Sequence, residues 1–418
     1  MTHVLEFSYM YPSPRNPNSG VFIERQVREL SRMIPLDVVS PVPWAPRILW
    51  GLSARWRGYG RQPYETRCHD VPVHHPRYVQ PIGQWSIPLA GAAMARGSAP
   101  TVRGIADERG SDAIHVHQLL PDGLAAVLLG RRFDLPVVCT LHGSDVTATP
   151  FHDPVARAAA RVVARRCHAI IGASGHLLDA LARLGATPAR TAVIAYGVDG
   201  ALFQPVERER ARARLDIRGD DPIVLYAGLL IARKGVDILI DAFARVAARH
   251  PRVRLVLVGG SVERDDRRAA LAARATALGC GERVLFAGPR PHTEMPLWFS
   301  AADVFAFASR LEGFPNVVRE AIACGTPCVA TALPGMAEVV GPEAGIVVPV
   351  DDVDAFAVAL EQALSVTWDR TKIRRRAAGW RWERNATETL AVLRAAVASA
   401  THDERRGTMP LGASEGCP

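Results

Sequence analysis

Glu312 and Glu320 bracket the segment Glu312-Gly-Phe-Pro-Asn-Val-Val-Arg-Glu320. The pattern predicts a loop after a strand, carrying the first carboxylate, and a helix carrying the second about one turn in. Gly313 and Pro315 hold that loop open. The amides of Phe314, Asn316 and Val317 then fall near a helix N-terminus, where unpaired N–H groups suit anionic oxygens or hydroxyls. Carboxylates there are suited to accept hydrogen bonds from the vicinal hydroxyls of a sugar or a ribose. Taken alone, the spacing equally describes a loop charge and a helix-surface charge. A second segment, Gly228-Leu-Leu-Ile-Ala-Arg233-Lys234-Gly235, follows the apolar run 223–227. Its guanidinium and ammonium are placed to neutralise a diphosphate. Closer to the N-terminus, the Pro-, Asn-, Ser- and Gly-rich stretch from Tyr11 to Gly20 separates a strand from a helix, and Gly20 can offer its amide to phosphate in the same way.

These residues need strand ends to hold them, and the chain supplies a regular alternation. Strand-like runs at 4–8, 37–40, 113–116, 137–141, 169–173 and 192–195 alternate with helical stretches. Ile23, Val27, Leu30 and Ile34 share one helix face. Asp153-Pro154 has the form of an N-cap with proline at the first helical position, and Gly185 suits a C-cap. An arginine-rich segment, 207–221, precedes a second alternating block. Its strands are expected at 223–227, 253–258, 283–286, 303–306, 328–330 and 345–348, and its helices at 236–249, 267–278, 293–301, 317–324 and 354–364. Strands apolar on both faces indicate parallel sheets covered by helices, hence two doubly wound Rossmann-like α/β domains with ligands at the strand C-termini.

Composition narrows the class. At 418 residues, the chain is long enough for two or three domains; 48% hydrophobic and 22% charged residues exclude wholesale disorder. No apolar run reaches the ~18 residues of a membrane span, and the N-terminus has no signal-peptide pattern. Seven cysteines, an odd number, form no evident disulfide framework and are expected to be reduced packing residues of a cytosolic protein. A net charge of +8 favours phosphate or anionic lipid without requiring nucleic acid, and no basic tract with stacking aromatics is present. No G-x-G-x-x-G opens either block, which disfavours a dinucleotide oxidoreductase. No DxD-type pair stands at a convincing metal site: Asp265-Asp266 falls in an expected charged helix and Asp351-Asp352 at a helix start.

Together these motifs resemble family 4 of the retaining nucleotide-sugar glycosyltransferases, from about residue 3 to about residue 365. The resemblance rests on Tyr11-Pro-Ser…Asn18-Ser-Gly20-Val-Phe-Ile, His115-Val-His117…Pro121-Asp-Gly123, Thr140-Leu-His142-Gly-Ser-Asp145, Ala173-Ser174 and Tyr196-Gly-Val-Asp199…Phe203-Gln-Pro205. It continues through the Arg233-Lys-Gly loop, Val258-Gly-Gly260 and Glu312 to Ala323-Cys-Gly-Thr-Pro327. It implies the GT-B fold, two Rossmann-like domains facing a central cleft: 1–205 on the acceptor side, 206–375 binding the nucleotide sugar, and 376–400 a helix returning to the first domain; the polar, Gly- and Pro-containing 401–418 is expected to be a flexible tail. It implies that Glu312 holds donor-sugar hydroxyls, Glu320 the ribose, and the amides of Phe314, Asn316 and Val317 the sugar and diphosphate, with Gly313 and Gly260 in the donor-binding loops. Arg233 and Lys234 stabilise the leaving diphosphate in place of a metal, and Gly20 closes on the phosphates. His142 lies beside the donor sugar, with Asp145 on the acceptor side.

Leu229, Tyr196 and Pro334-Gly335 depart from the family's usual arginine, asparagine and Gly-Gly. The implied reaction is transfer from a nucleoside-diphosphate sugar to a lipid-linked or growing surface glycan, without cofactor, metal or nucleic acid. The same fold leaves two rivals, a sugar-nucleotide epimerase and a catalytically inactive donor-binding subunit. Trp44, Ile48, Leu49, Trp50, Leu52 and Trp56, with Arg47, Arg55, Arg57 and Arg61, form a segment suited either to an interfacial helix on the anionic inner membrane face or to an irregular insertion whose tryptophans pack on the first domain or line the acceptor cleft.

Overall fold

The computed structural model describes residues 3–16, 19–49, 51, 54–81, 87–147, 153–185, 188–260 and 266–407. They divide into two compact units, 1–195 with 382–418, and 196–381. In the first unit the strands are β1 (Val4–Phe7), β2 (Leu36–Val39), β3 (Val42–Pro43), β4 (Glu65–Cys68), β5 (Val71–His74), β6 (Arg77–Tyr78), β7 (Ala113–His117), β8 (Val137–Leu141), β9 (Ala169–Gly172) and β10 (Thr191–Val193). Eight of them form one sheet in the order β10-β9-β8-β7-β1-β2-β5-β4, and β3 pairs with β6. All pairs are parallel except β4 with β5 at the edge. Strands β1, β7, β8 and β9 are buried on both faces, as helices on both sides of a parallel sheet require.

The second unit holds β11 (Ile223–Ala227), β12 (Arg254–Val258), β13 (Val284–Gly288), β14 (Val304–Phe307), β15 (Cys328–Thr331) and β16 (Gly345–Val348). They form a wholly parallel sheet in the order β13-β12-β11-β14-β15-β16. Its two faces carry separate apolar cores, one around Phe243 and Phe356, the other around Phe299 and Phe305. Arg212 is buried beneath them and donates to the carbonyls of Ala301, Gly219 and Asp221 and to the Asp303 carboxylate. These bonds tie the arginine-rich segment to the sheet.

Several boundaries differ from the sequence reading. Residues 196–205 join the second unit, because Val198 pairs with Arg381 and Phe203 enters its core. The helix Ile87–Arg109 was not anticipated; glycines and Pro100 interrupt its periodicity. Gly97 lies where a Cβ would stand 2.4 Å from the Arg77 carbonyl oxygen, so close packing, not helix propensity, chose the residue. The short strands β3 to β6 also escaped notice, being brief and partly polar. Asp266 precedes the helix Arg268–Ala277 instead of lying in it, and Asp265 falls outside the described residues. Cys68, Cys139, Cys167, Cys280, Cys324 and Cys328 are free thiols.

The C-terminal helix Trp382–Gly407 continues past Thr401, where a tail was expected; Asp403 to Arg406 contain no helix breaker before Gly407. It belongs to the first unit, burying Ala386, Leu390, Leu393 and Ala396 against Val27 and Leu30. One polar network sits in that contact: the Gln26 amide donates to Asn385 Oδ1 at 2.7 Å and to Thr389 Oγ1 at 3.1 Å, while Asn385 donates to the Ala195 carbonyl at 2.9 Å. Replacing Asn385 by leucine strands buried partners, at a cost of about 1–3 kcal/mol. The expected result is a lower thermal midpoint and faster amide exchange across residues 382–400. Unchanged exchange there shows that apolar packing alone holds the helix.

Candidate active site

In the second unit, chemistry-bearing residues gather at the C-terminal ends of the adjacent strands β11 and β14. Residues Ala232–Lys234 form one tight turn, closed by Gly235 at φ +63°, which N-caps the helix Val236–Arg249. A Cβ at Gly235 would stand 1.9 Å from the Ala308 carbonyl oxygen, so the turn tolerates no side chain there. Arg310 fixes the same turn by donating to the Ala232 carbonyl, to both oxygens of Asp237 at 3.0 and 2.8 Å, and to Asp351 at 2.6 Å. The bidentate bond to Asp237 leads the effects that raise the Arg310 pKa above its ordinary value.

This turn brings Lys234 to Glu312. Lys234 Nζ donates to Glu312 Oε1 at 2.5 Å, and Ser309 Oγ donates to the same oxygen at 2.8 Å. Both ionic side chains are largely shielded, whereas Arg233 is exposed. Glu320, on the helix Asn316–Ala323, lies 3.0 Å from His292 Nε2. The exposed Leu229, in the position of the family's arginine, accepts from the Tyr226 hydroxyl through its carbonyl, and the Gly260 carbonyl accepts from the Leu230 amide. Among the three expected loop amides, that of Asn316 already donates to the Phe314 carbonyl at 3.0 Å. Gly313 and Val317 are half-buried beside it.

Residues without a sequence-based assignment shape this half. Arg319 is buried, with its guanidinium 4.6 Å from the Phe314 ring centroid and 4.3 Å from that of Trp380. It donates to the Tyr196 carbonyl at 2.5 Å, and burial lowers its pKa to about 10. The Tyr196 ring meets Phe314 edge-on at 4.9 Å. A cation stacked between aromatic rings therefore sets the rear wall of the Glu312–Glu320 loop. His292 and Arg310 were likewise missed, since neither lies in a recognisable spacing.

In the first unit the corresponding residues sit at the C-terminal ends of β1, β7 and β8. Gly20 N-caps the helix Val21–Ser31 at φ +57°, where a Cβ would stand 2.3 Å from the Met10 carbonyl oxygen. Asn18 lies outside the described residues. Asp145 is spent on the loop that carries His142: it accepts from the amides of Gly143 at 2.7 Å, His142 at 3.2 Å and Leu119 at 3.3 Å. It also borders a cavity of about 330 Å³ lined with Tyr9, Arg55, Tyr78, Gln118 and Leu120. That cavity offers phenol, amide and guanidinium groups to a polyhydroxylated or anionic guest.

Beneath His142 lies a fully buried ionisable group, Glu6 in the middle of β1. The β1–β7 register sets Glu6 opposite His115. His115 Nδ1 is 3.0 Å from Glu6 Oε1, and His117 Nε2 is 3.0 Å from Glu6 Oε2. Burial alone raises a carboxyl pKa, but electrostatic attraction to the histidines and the bonds from both of them outweigh it and hold Glu6 near 2. Burial lowers His117 to about 4 and depresses His142 strongly. The His-x-His spacing on a strand, with a lone carboxylate on its neighbour, was the available sequence signal.

Each unit is a doubly wound, largely parallel α/β sheet with polar and charged side chains gathered at its strand ends. The model for glycosyl transferases group 1 matches residues 207–380, and that for glycosyltransferase family 4 matches residues 56–201. A D-inositol 3-phosphate glycosyltransferase of Catenulispora acidiphila is 32% identical over 307 residues, 68% of this chain and 72% of the relative. A Bacillus subtilis protein provisionally named as the teichuronic acid biosynthesis glycosyltransferase TuaC is 28% identical, covering 85% of this chain and 88% of its own. Among solved structures, sucrose-phosphate synthase from Thermosynechococcus elongatus superposes with TM-score 0.76 at 22% identity, over 96% of this chain and 100% of that one. Anabaena HepE in complex with UDP gives 0.71 at 20% identity, over 94% and 100%. The chain belongs to the family 4 glycosyltransferases, with the GT-B fold.

The buried histidine makes stability pH-dependent with a definite sign. His117 takes up a proton near 6.5 when unfolded but near 4 when folded, so its contribution is complete above pH 6.5 and lost as pH falls toward 4. Glu6 acts in the same direction lower down, between about 4.5 and 2. Replacing His117 by glutamine is therefore expected to flatten the decline in unfolding free energy between pH 6.5 and 4 by up to about 3 kcal/mol. Urea titrations at stepped pH measure it; equal slopes in both proteins refute the assignment.

Proposed function

We propose that the chain is a retaining, metal-independent glycosyltransferase that moves a sugar from a nucleoside-diphosphate sugar to a hydroxyl of a lipid-linked or growing cell-envelope polysaccharide. The observation that carries this reading is the Lys234–Glu312 pair at 2.5 Å, with exposed Arg233 beside it at the end of β11. In the reaction the anomeric carbon–oxygen bond breaks and its electron pair leaves on the diphosphate. The acceptor oxygen attacks from the same face, forms the new bond and passes its proton to an oxygen of the departing diphosphate. Arg233 and Lys234 stabilise the negative charge on the departing diphosphate, in the role a metal ion plays elsewhere. Because Glu312 already holds the ammonium in place, little reorganisation accompanies the chemistry.

Glu312 and the loop Gly313–Val317 hold sugar hydroxyls, and Glu320, steadied by His292, takes the ribose. In the second unit Gly260 is assigned to the diphosphate. In the first unit Gly20 is assigned to phosphate, His142 to the donor sugar, and the cavity bordered by Asp145 and Arg55 to the acceptor. The HepE complex with UDP and the name of the Bacillus subtilis relative support the donor class and the polysaccharide setting, respectively. An epimerase of the same fold would turn over donor without acceptor; an inactive subunit would bind donor and release no diphosphate.

A screen of UDP-, GDP- and ADP-sugars for binding and acceptor-dependent diphosphate release tests the reading. Alanine at Arg233 or Lys234 is expected to lower turnover about 100-fold or more, roughly 3 kcal/mol of transition-state stabilisation. Alanine at Glu320 is expected mainly to weaken donor binding. Near-normal turnover in the double cation variant removes both residues from the mechanism.

The acceptor class also suggests contact with an anionic membrane face at 44–61. Trp44 and Ile48 are exposed, as are Arg47, Arg57 and Arg61, whereas Arg55 donates to Tyr59 and borders the cavity. Trp50 and Leu52 lie outside the described residues. No described helix is long and apolar enough to cross a membrane. Co-sedimentation with phosphatidylglycerol vesicles at low salt is expected to fall several-fold on combining Ile48→Ser with Arg57→Glu; binding unaffected by both changes places the anchor elsewhere.

A further inference from the structure

The buried carboxylate in β1 does not end at its two histidines. His117 Nδ1, on the far side of the ring from Glu6, is 3.2 Å from His142 Nε2. The His117 and His142 rings lie 5.3 Å apart and within 10° of parallel, and Phe22 meets the His142 ring at 4.8 Å. We propose that Glu6 and His117 are positioning residues that hold His142 in a single orientation and a single tautomer, protonated at Nε2. Its Nδ1 then carries no hydrogen and can act only as a hydrogen-bond acceptor. This rests on the donor-side placement of His142 proposed above.

The proton inventory leads to one arrangement. An ionised Glu6 is acceptor-only, so both histidine nitrogens facing it carry hydrogens. Burial keeps His117 neutral at ordinary pH, and a neutral imidazole has one N–H. With Nε2–H committed to Glu6, His117 Nδ1 is bare and accepts from His142, which must supply Nε2–H. His142, also neutral, then carries no hydrogen on Nδ1. His115 closes the other side: its Nδ1–H donates to Glu6, and its Nε2 meets Thr140 Oγ1 at 2.8 Å. The logic is that of a carboxylate setting the tautomer of a working histidine, extended by one ring.

Glu6, His115 and His117 also bring ligand-type atoms within 4.8 Å of one another. However, their side chains are 0–1% exposed and bonded to one another at 2.9–3.0 Å, a hydrogen-bonding separation. They are already satisfied without an ion.

Histidine-selective ¹⁵N spectra of the full chain, without substrate, read the tautomers directly. The expected signature is a His142 resonance pair with Nε2 protonated and Nδ1 bare. His117→Leu is expected to mix the His142 tautomers and to lower kcat about tenfold or more while donor KM changes little. His117→Gln, whose carbonyl accepts from His142 and whose amide donates to Glu6, is expected to restore both. A His142 protonated at Nδ1 in the unaltered protein, a stoichiometric metal in the purified protein, or full kcat with one tautomer in folded His117→Leu each overturns the proposal. The unaltered and glutamine spectra suffice if the leucine variant does not fold. Failure of the transfer reading appears instead as absent turnover with the expected spectrum intact.

Discussion

A parallel sheet covered on both faces leaves its strand ends as the natural place for polar groups to meet a ligand. Both units obey this constraint. The side chains of β1, β7, β8, β11 and β14 are buried almost throughout, and the residues proposed for catalysis appear where those strands stop. The adjacency of β11 and β14 brings Lys234 beside Glu312 across 78 positions of sequence. The order β8-β7-β1 does the same for His142, His117 and Glu6. Strand order is thus the device that assembles each set.

Glu6 is the exception, a charge placed inside a strand. An isolated buried carboxylate is costly, and its ordinary fate is to take a proton. Here two histidines from the neighbouring strand keep it ionised, and the second passes its orientation on to His142. A buried ion with complete hydrogen bonding specifies one arrangement of its neighbours, because any other leaves a donor or acceptor unpaired. Arg310 has the corresponding task in the second unit, where its bonds to Asp237, Asp351 and Ala232 hold the turn that carries Arg233 and Lys234.

Tight backbone approaches complete the scaffold. Gly20 and Gly235 each begin a helix in a left-handed conformation with a carbonyl oxygen where a side chain would start. Such positions are legible in a sequence only as glycines before an amphipathic run; what they avoid becomes visible once the fold exists.

The sequence by itself determined the α/β alternation, most strands of the two large, mainly parallel sheets and the principal site motifs. Those depend on local patterning: apolar runs of strand length, caps such as Asp153-Pro154, and short segments such as Glu312 to Glu320 whose spacing is intrinsic. Only the tertiary structure decided what partners those residues have. It tied Asp145 to three backbone amides, stacked Arg319 between Phe314 and Trp380, and placed Glu6 under His117. It also assigned 196–205 to the second unit and set the glycine-rich helix at 87–109 against β6. Each of these follows from contacts between residues far apart in the chain, which pairing register and packing create and local periodicity does not encode.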